Sequence, residues 1–182
     1  HNNRVDMLAE GLDYAIRFGD GAWHACESER LFEAPLSPLC TARLAESMSS
    51  PASLLQHTLL RSYRDNEWPS WFAAAGIQRP PPLLQGITFD SSLAMMEAAT
   101  QGAGVALAPP RMFERQLASG SIVQPFAATT SLGSYWLTRQ VSRPVTPAMA
   151  AFRDWLHETA WQAYGTASET PPPAGSSSMT GD

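Results

Sequence analysis

No lysine occurs in this 182-residue chain; all 12 of its positive side chains are arginines. The absence excludes every mechanism that needs a lysine within the chain. A P-loop GK[ST], a Schiff-base lysine, the strand lysine of a kinase and an SxxK nucleophile pair are all ruled out. A composition rich in Ala, Pro, Gly and Arg points to codon bias as the origin of this pattern. Cysteine is scarce too. Cys26 and Cys40 belong to no CxxC pair, so two free thiols are expected rather than a disulfide. No run approaches the roughly 18 apolar residues of a transmembrane helix, and no membrane partner is expected. The four histidines, His1, His24, His57 and His157, show no HxH, HExxH or HxxE spacing. Neither a metal site nor any other cofactor is therefore expected. Basic clusters are missing as well, and the formal charge is −5. Phosphate-backbone binding needs clustered cations, so this segment is not expected to hold DNA by itself.

What is present describes a globular chain. Hydrophobic residues make up 44% and charged residues 16%, and the length suffices for one domain or two small lobes. The first residues, HNNRVDMLAEGLDYAIRF, lack the n-region, h-region and cleavage pattern of a signal peptide. They open at His1 in a pattern that already reads as structure, so further chain is expected upstream.

Residues 3–10 read as the end of a helix with Gly11 just past it. LDYAIRF (12–18) alternates Leu12, Tyr14, Ile16 and Phe18 on one face, which predicts a strand with that face buried. Residues 19–30 read as a surface loop, and LFEAPLSPLC (31–40) as an extended, proline-marked crossing segment. Short helices are predicted over 50–56, with Ser50 and Pro51 at its start, and over 67–77, ending at Gly76. Strands are predicted over 58–63 and 83–89, with an RPPP turn at 79–82. The clearest helix spans 90–102, capped by Asp90 or Ser91, with Leu93, Met96 and Ala99 or Thr100 inward and Gly102 at its end. Further strands are read at 104–109, 122–126 and 134–140. Helices are read at 109–120, ending at Gly120, and at 146–164, with Thr146 as N-cap and Met149, Phe152, Leu156 and Ala160 inward. Residues 165–182 are too rich in Ser, Thr, Gly and Pro to bury a core and read as a disordered tail. Alternating strands and helices predict an α/β fold of βα units around mainly parallel sheets.

Few residues carry chemistry by their spacing. Ser91 and Ser92 stand between a strand and a helix but lack the G-x-S-x-G glycines of a nucleophile elbow. Free N–H groups and small hydroxyls at such a turn suit a carboxylate or other oxyanion. A plainly capped helix fits the same residues. GAGV (102–105) ends a helix and precedes a strand, the reverse of a dinucleotide fingerprint. The tryptophans at 68, 71, 136, 155 and 161 are expected to serve packing.

The segments HNNRVDMLAEGLDYAIRFGDG, LFEAPLSPLC, RSYRDNEWPSWFAAAG, FDSS, GAGVALAPPRMFERQLASG and GSYWLTR…TPAMAAFRDWL resemble the effector-binding domain of LysR-type transcriptional regulators. Within the family they are most similar to the branch that controls chromosomal β-lactamase. The resemblance covers roughly residues 1–160. It implies two Rossmann-like lobes joined by crossover strands (periplasmic-binding-protein-like), with the effector in the cleft between them. Lobe I would comprise 1–36 and 135–164, N-terminally truncated, and lobe II 37–134, with the DNA-binding helix-turn-helix absent from the chain. The implied effectors are muropeptides: UDP-MurNAc-pentapeptide favouring repression and anhydro-muropeptides favouring activation. Ser92 and Tyr135, with Ser91 beside them, become candidate effector-binding residues able to donate hydrogen bonds to a peptide carboxylate or carbonyl. Arg61 is added from its strand-end position as a cation for an anionic peptide terminus. Asp6 matches a position whose change upsets the inducible switch, so it is expected to bias the resting state without touching ligand.

The resemblance further implies a cytoplasmic regulator, not an enzyme, that meets promoter DNA through its N-terminal domain and assembles at full length as a homodimer or homotetramer. A solute-binding protein of a transport system uses much the same fold and is the alternative reading. An enzyme of cell-wall metabolism is a third, weakened by the missing lysine and the lack of any nucleophile–base or metal motif.

Overall fold

The computed structural model describes residues 6–78 and 87–164. The expected RPPP turn, the beginning of the strand at 83–89, residues 3–5 of the first helix and the tail at 165–182 lie outside the described residues. The chain divides into two compact units, Ala34–Leu132 and a second containing residues 6–33 and 133–164.

In the first unit, β3 (Ser37–Leu39) pairs antiparallel with β6 (Ala106–Ala108). A parallel bridge joins Leu59 to Val105, and β4 (Arg61–Ser62) runs parallel to β5 (Thr88–Phe89). Side chains of an extended strand alternate between faces, and here the alternation divides the core in two. Leu36, Cys40, Leu59, Val105 and Leu107 pack with Trp68, Trp71 and Phe72 of α2 (Glu67–Ala74). Leu39, Leu60, Ala106 and Ala108 pack with Met95, Met96 and Ala99 of α3 (Ser92–Thr100) and with Phe113. The strands are therefore covered on both faces, as an α/β layer architecture requires. Two tryptophans also bond to the backbone: Trp68 Nε1 donates to Leu60 O and Trp71 Nε1 to Ala128 O, both at 2.9 Å.

The second unit is one antiparallel sheet in the order β1 (Ala15–Gly19), β7 (Ser134–Gln140), β2 (Cys26–Glu33). The helix α5 (Pro147–Tyr164) packs on β2 through His157–Glu29 at 3.0 Å and a Phe32–Tyr164 ring stack.

Several expectations hold. Gly11, Gly76, Gly102 and Gly120 all take positive φ where helical turns were predicted to stop. At each, the next residue's N–H reaches back to the carbonyl five residues earlier, as Leu12 does to Met7 and Ile77 to Phe72. Ser50 forms a capping box with Ser53, and the Thr146 hydroxyl accepts from Met149 N at 3.2 Å. Cys26 and Cys40 are both free thiols. Apart from these expectations, no helix among the described residues is long and apolar enough to cross a membrane.

Others are corrected. Among the described residues the sheets are not mainly parallel: β1, β2, β3, β6 and β7 all pair antiparallel, and only β4 with β5 and the Leu59–Val105 bridge are parallel. The loop expected over 19–30 is strand from Cys26 onward. Its charged residues belong there because Glu27 pairs with Arg139 across the sheet and Glu29 with His157, so ion pairs replace the apolar signal. The 122–126 strand reduces to a single bridge, Val123 with Cys40, beside a proline that cannot donate. The predicted 109–120 helix is a 3-10 turn, Pro110–Phe113, followed by α4 (Glu114–Ala118). Ile16 is 55% exposed, although Phe18 on the same face of β1 is buried. Leu93 is 68% exposed, and Met95 takes the inner position given to it. Phe152 and Trp155 are likewise exposed on α5 rather than buried.

Of the described glycines in the first unit, Gly104 has the closest surroundings. A Cβ built there would stand 2.4 Å from Thr58 O and 3.2 Å from the Leu60 side chain. Since the obstacle is backbone, Gly104→Ala should destabilise the protein by about 1–3 kcal/mol, read as a lowered denaturation midpoint in urea. Cys40 gives a second test. Burial pushes its thiol pKa up to about 11, so almost none is thiolate at pH 8. Cys40 should react with a thiol reagent only upon unfolding, with Cys26 alone modified in the native state.

Candidate functional site

The candidate residues fall into two groups. In the first unit, Arg61 and Thr88 are register partners across the parallel pair β4–β5, and Arg61 Nη2 donates to Thr88 Oγ1 at 3.2 Å. Two residues beyond Phe89 the chain turns into α3. Ser91, not Asp90, is the N-cap: its backbone is extended, and its hydroxyl accepts from Ala94 N at 3.4 Å. Ser92 is the first helical residue and is exposed. No acidic residue stands in the first turn of α3, so the positive end of its dipole is not balanced by the helix's own side chains. Arg61, Ser91 and Ser92 thus share the carboxyl ends of two adjacent parallel strands, the edge at which open α/β sheets hold ligands.

The turn after β4 is fixed by a buried ionic cluster that sequence reasoning missed. Glu67 is only 4% exposed. It accepts from Ser62 Oγ at 2.7 Å and from Arg64 Nη1 at 3.2 Å, and Arg64 N donates to the same Ser62 oxygen at 3.0 Å. The one available signal was a glutamate opening a helix whose next residues are Trp, Pro and Ser, and it does not distinguish a buried carboxylate from an exposed one.

In the second unit Tyr135 lies on β7, half buried. Its ring meets Phe18 of β1 edge-on at 5.3 Å and Phe32 of β2 at 5.2 Å. Its register partners, Phe18 and Phe32, are these same residues, so the aromatic contacts are cross-strand pairs that set the ring's direction. On the same strand Trp136 Nε1 donates to Gly19 O at 3.0 Å, and Thr138 Oγ1 donates to Ala15 O at 3.0 Å. Asp6 caps the turn that Gly11 closes, its carboxylate accepting from Leu8 N and Ala9 N, each at 3.1 Å. Among the described residues no group of three His, Cys, Asp or Glu side chains could hold a metal.

The comparisons with known proteins give this geometry a family. A model described as the LysR substrate binding domain matches residues 1–161. The chain belongs to the LysR substrate-binding domain family. It is 66% identical over 160 residues to the HTH-type transcriptional activator AmpR of Pseudomonas aeruginosa, covering 88% of this chain and 54% of that protein. The chain therefore spans about half the length of the curated relatives it matches. The solved effector domain of the Pseudomonas aeruginosa regulator superposes with a TM-score of 0.85 at 66% identity, over 88% of this chain and 78% of that one. A Citrobacter freundii effector-binding domain carrying threonine-to-valine, serine-to-alanine and tyrosine-to-phenylalanine substitutions superposes at 0.84 and 51% identity, over 88% and 81%. The two-lobed periplasmic-binding-protein-like fold expected from sequence is thereby established. These relatives are transcriptional activators of the LysR family and not enzymes.

Asp6 can be tested without any ligand. Asp6→Ala removes the acceptor of two backbone N–H groups and should cost about 1 kcal/mol of stability. Asp6→Asn retains an acceptor and should stay within about 0.5 kcal/mol. Thermal unfolding of the three proteins decides between them.

Proposed function

We propose that this chain is the effector-sensing domain of a cytoplasmic LysR-type regulator that binds muropeptides and controls β-lactamase expression. The observation that carries the reading is 66% identity to AmpR over most of the chain. A positional coincidence supports the site. The serine and tyrosine substituted in the Citrobacter freundii domain stand 43 positions apart, and the same separation divides Ser92 from Tyr135. By the same count, the substituted threonine would fall ahead of His1.

Ser92 donates a hydroxyl hydrogen bond at the positive end of α3, beside backbone N–H groups that have no partner within the helix. Tyr135 supplies a phenol on a ring held by two neighbours. Each suits a carboxylate or an amide carbonyl of a peptide joined to a sugar. Arg61 adds charge for an anionic terminus, and Ser91 shapes the turn. Asp6 acts on the resting balance between states through the turn it caps. Promoter DNA is contacted through a part of the regulator outside this chain, and the full-length protein works as a homodimer or homotetramer. In this reading lobe I comprises residues 1–36 and 135–164, and lobe II residues 37–134. The alternative of a transport solute-binding protein gains nothing from the relatives found.

Calorimetric titration of the full-length regulator with anhydro-muro-tripeptide and with UDP-MurNAc-pentapeptide tests the proposal. Binding of at least one is expected. Ser92→Ala and Tyr135→Phe should each weaken it by about tenfold, a buried hydrogen bond being worth roughly 1–1.5 kcal/mol. No binding of either compound by the unaltered protein would overturn the muropeptide reading. Unchanged affinity in both variants would remove the two residues from the site.

A further inference from the structure

We infer that Glu67 is a positioning residue of the effector site, acting through Ser62 on Arg61; the inference rests on the placement of that site at the carboxyl ends of β4 and β5. An ionised carboxylate at 4% exposure is costly unless it is paired and hydrogen-bonded. Glu67 meets both conditions inside its own six-residue segment. One oxygen takes the Ser62 hydroxyl and the other takes Arg64. Because the Ser62 oxygen also accepts from Arg64 N, strand end, turn and helix start form one closed unit. Tyr63, between the bonded residues, is exposed, with the Arg64 guanidinium over its ring at 4.6 Å.

Ser62 is the register partner of Phe89, and Arg61 is that of Thr88. β4 contains only these two residues; Arg61 N donates to Ile87 O at 3.3 Å and Leu60 N to Val105 O at 2.8 Å, and the Ser62 side chain adds a hold at the far end of the strand. Holding Ser62 by its side chain fixes Arg61 against Thr88, two positions before the turn that presents Ser91 and Ser92. From the same helix, Trp68 Nε1 donates to Leu60 O at 2.9 Å, so the segment 60–62 is held from α2 at both of its ends. A turn needing only a capped helix could use any exposed polar residue at position 67. A buried, doubly bonded carboxylate specifies geometry instead, which is the use such groups can have where they do not add stability.

The test measures affinity and stability separately in the full-length regulator, with anhydro-muro-tripeptide and UDP-MurNAc-pentapeptide as probes. Glu67→Gln keeps the shape and removes the charge, and Ser62→Ala breaks the link to β4 while leaving Glu67 with Arg64. Each should weaken probe binding by about tenfold at a temperature where circular dichroism shows the protein folded. If Glu67 acts through Arg61, adding Glu67→Gln to Arg61→Ala should cause no further loss, because the group being positioned is gone. A full additional loss in that background, or unchanged affinity in both single variants, would overturn the inference. If Glu67→Gln does not fold, Ser62→Ala with the same Arg61→Ala background decides. Ser92→Ala separates the two readings. Weakened binding there with unchanged binding in Glu67→Gln refutes only the positioning role, and unchanged binding there refutes the placement of the site.

Discussion

The parallel approach of residues 58–60 to residues 104–105 is the constraint on which the first unit depends. Leu60 N donates to Val105 O at 2.8 Å and Val105 N donates to Thr58 O at 2.9 Å, so the segment is locked on both sides of Leu59. Only a glycine at 104 lets the two backbones come this close. The lock has two consequences. It sends Leu59 towards α2 and Leu60 towards α3, so that one pair of consecutive leucines seeds both core clusters. It also fixes the start of β4, and hence where Arg61 emerges. Packing and the candidate site are set by the same few hydrogen bonds.

Much of this was legible in the sequence because the signals were local. Glycines at 11, 76, 102 and 120 announced helix ends, since a left-handed residue there is nearly always glycine, and Ser50, Ser91 and Thr146 marked helix starts. What escaped was decided by partners distant in sequence. Cys26–Arg30 has too many charges to read as strand until Arg139 and His157 are brought beside Glu27 and Glu29. Met96 and Ala99 are buried as expected, but Met95 joins them and Leu93, in the first turn of a nine-residue helix, is exposed. The parallel expectation failed for a similar reason. Alternation of strands and helices describes order along the chain, whereas direction of pairing depends on which strands meet.

The site was legible to a different degree. Strand-to-helix position picked out Ser91, Ser92 and Arg61, and there backbone physics and family resemblance point to the same turn. Tyr135 and Asp6 came from resemblance alone, as nothing in SYWLTRQ separates a tyrosine of a site from one of a core. The structure adds the reason Tyr135 has a defined direction: Phe18 and Phe32 flank it on the neighbouring strands. Such a ring can place its hydroxyl without paying rotamer entropy when a ligand arrives.

The missing lysines acquire a structural meaning in this setting, whatever their genetic origin. A guanidinium offers five donors in a fixed plane, where an ammonium offers three on a flexible stem. Several arginines here use that difference. Arg139 bonds Glu27 and the carbonyls of Gln140 and Arg143. Arg143 reaches Leu12 O and Asp13, and Arg30 bridges Ser134 and Glu33. Each therefore joins two or three chain segments at the end of a strand. Arg64 braces a single turn instead, with its side chain against Tyr63 and Glu67 and its own N–H on Ser62. A lysine would bring three donors on a flexible stem without the fixed plane, leaving the buried Glu67 carboxylate dependent on a more mobile charge. Arginine braces thus let a chain with short strands keep its strand ends, and the side chains they present, in fixed positions.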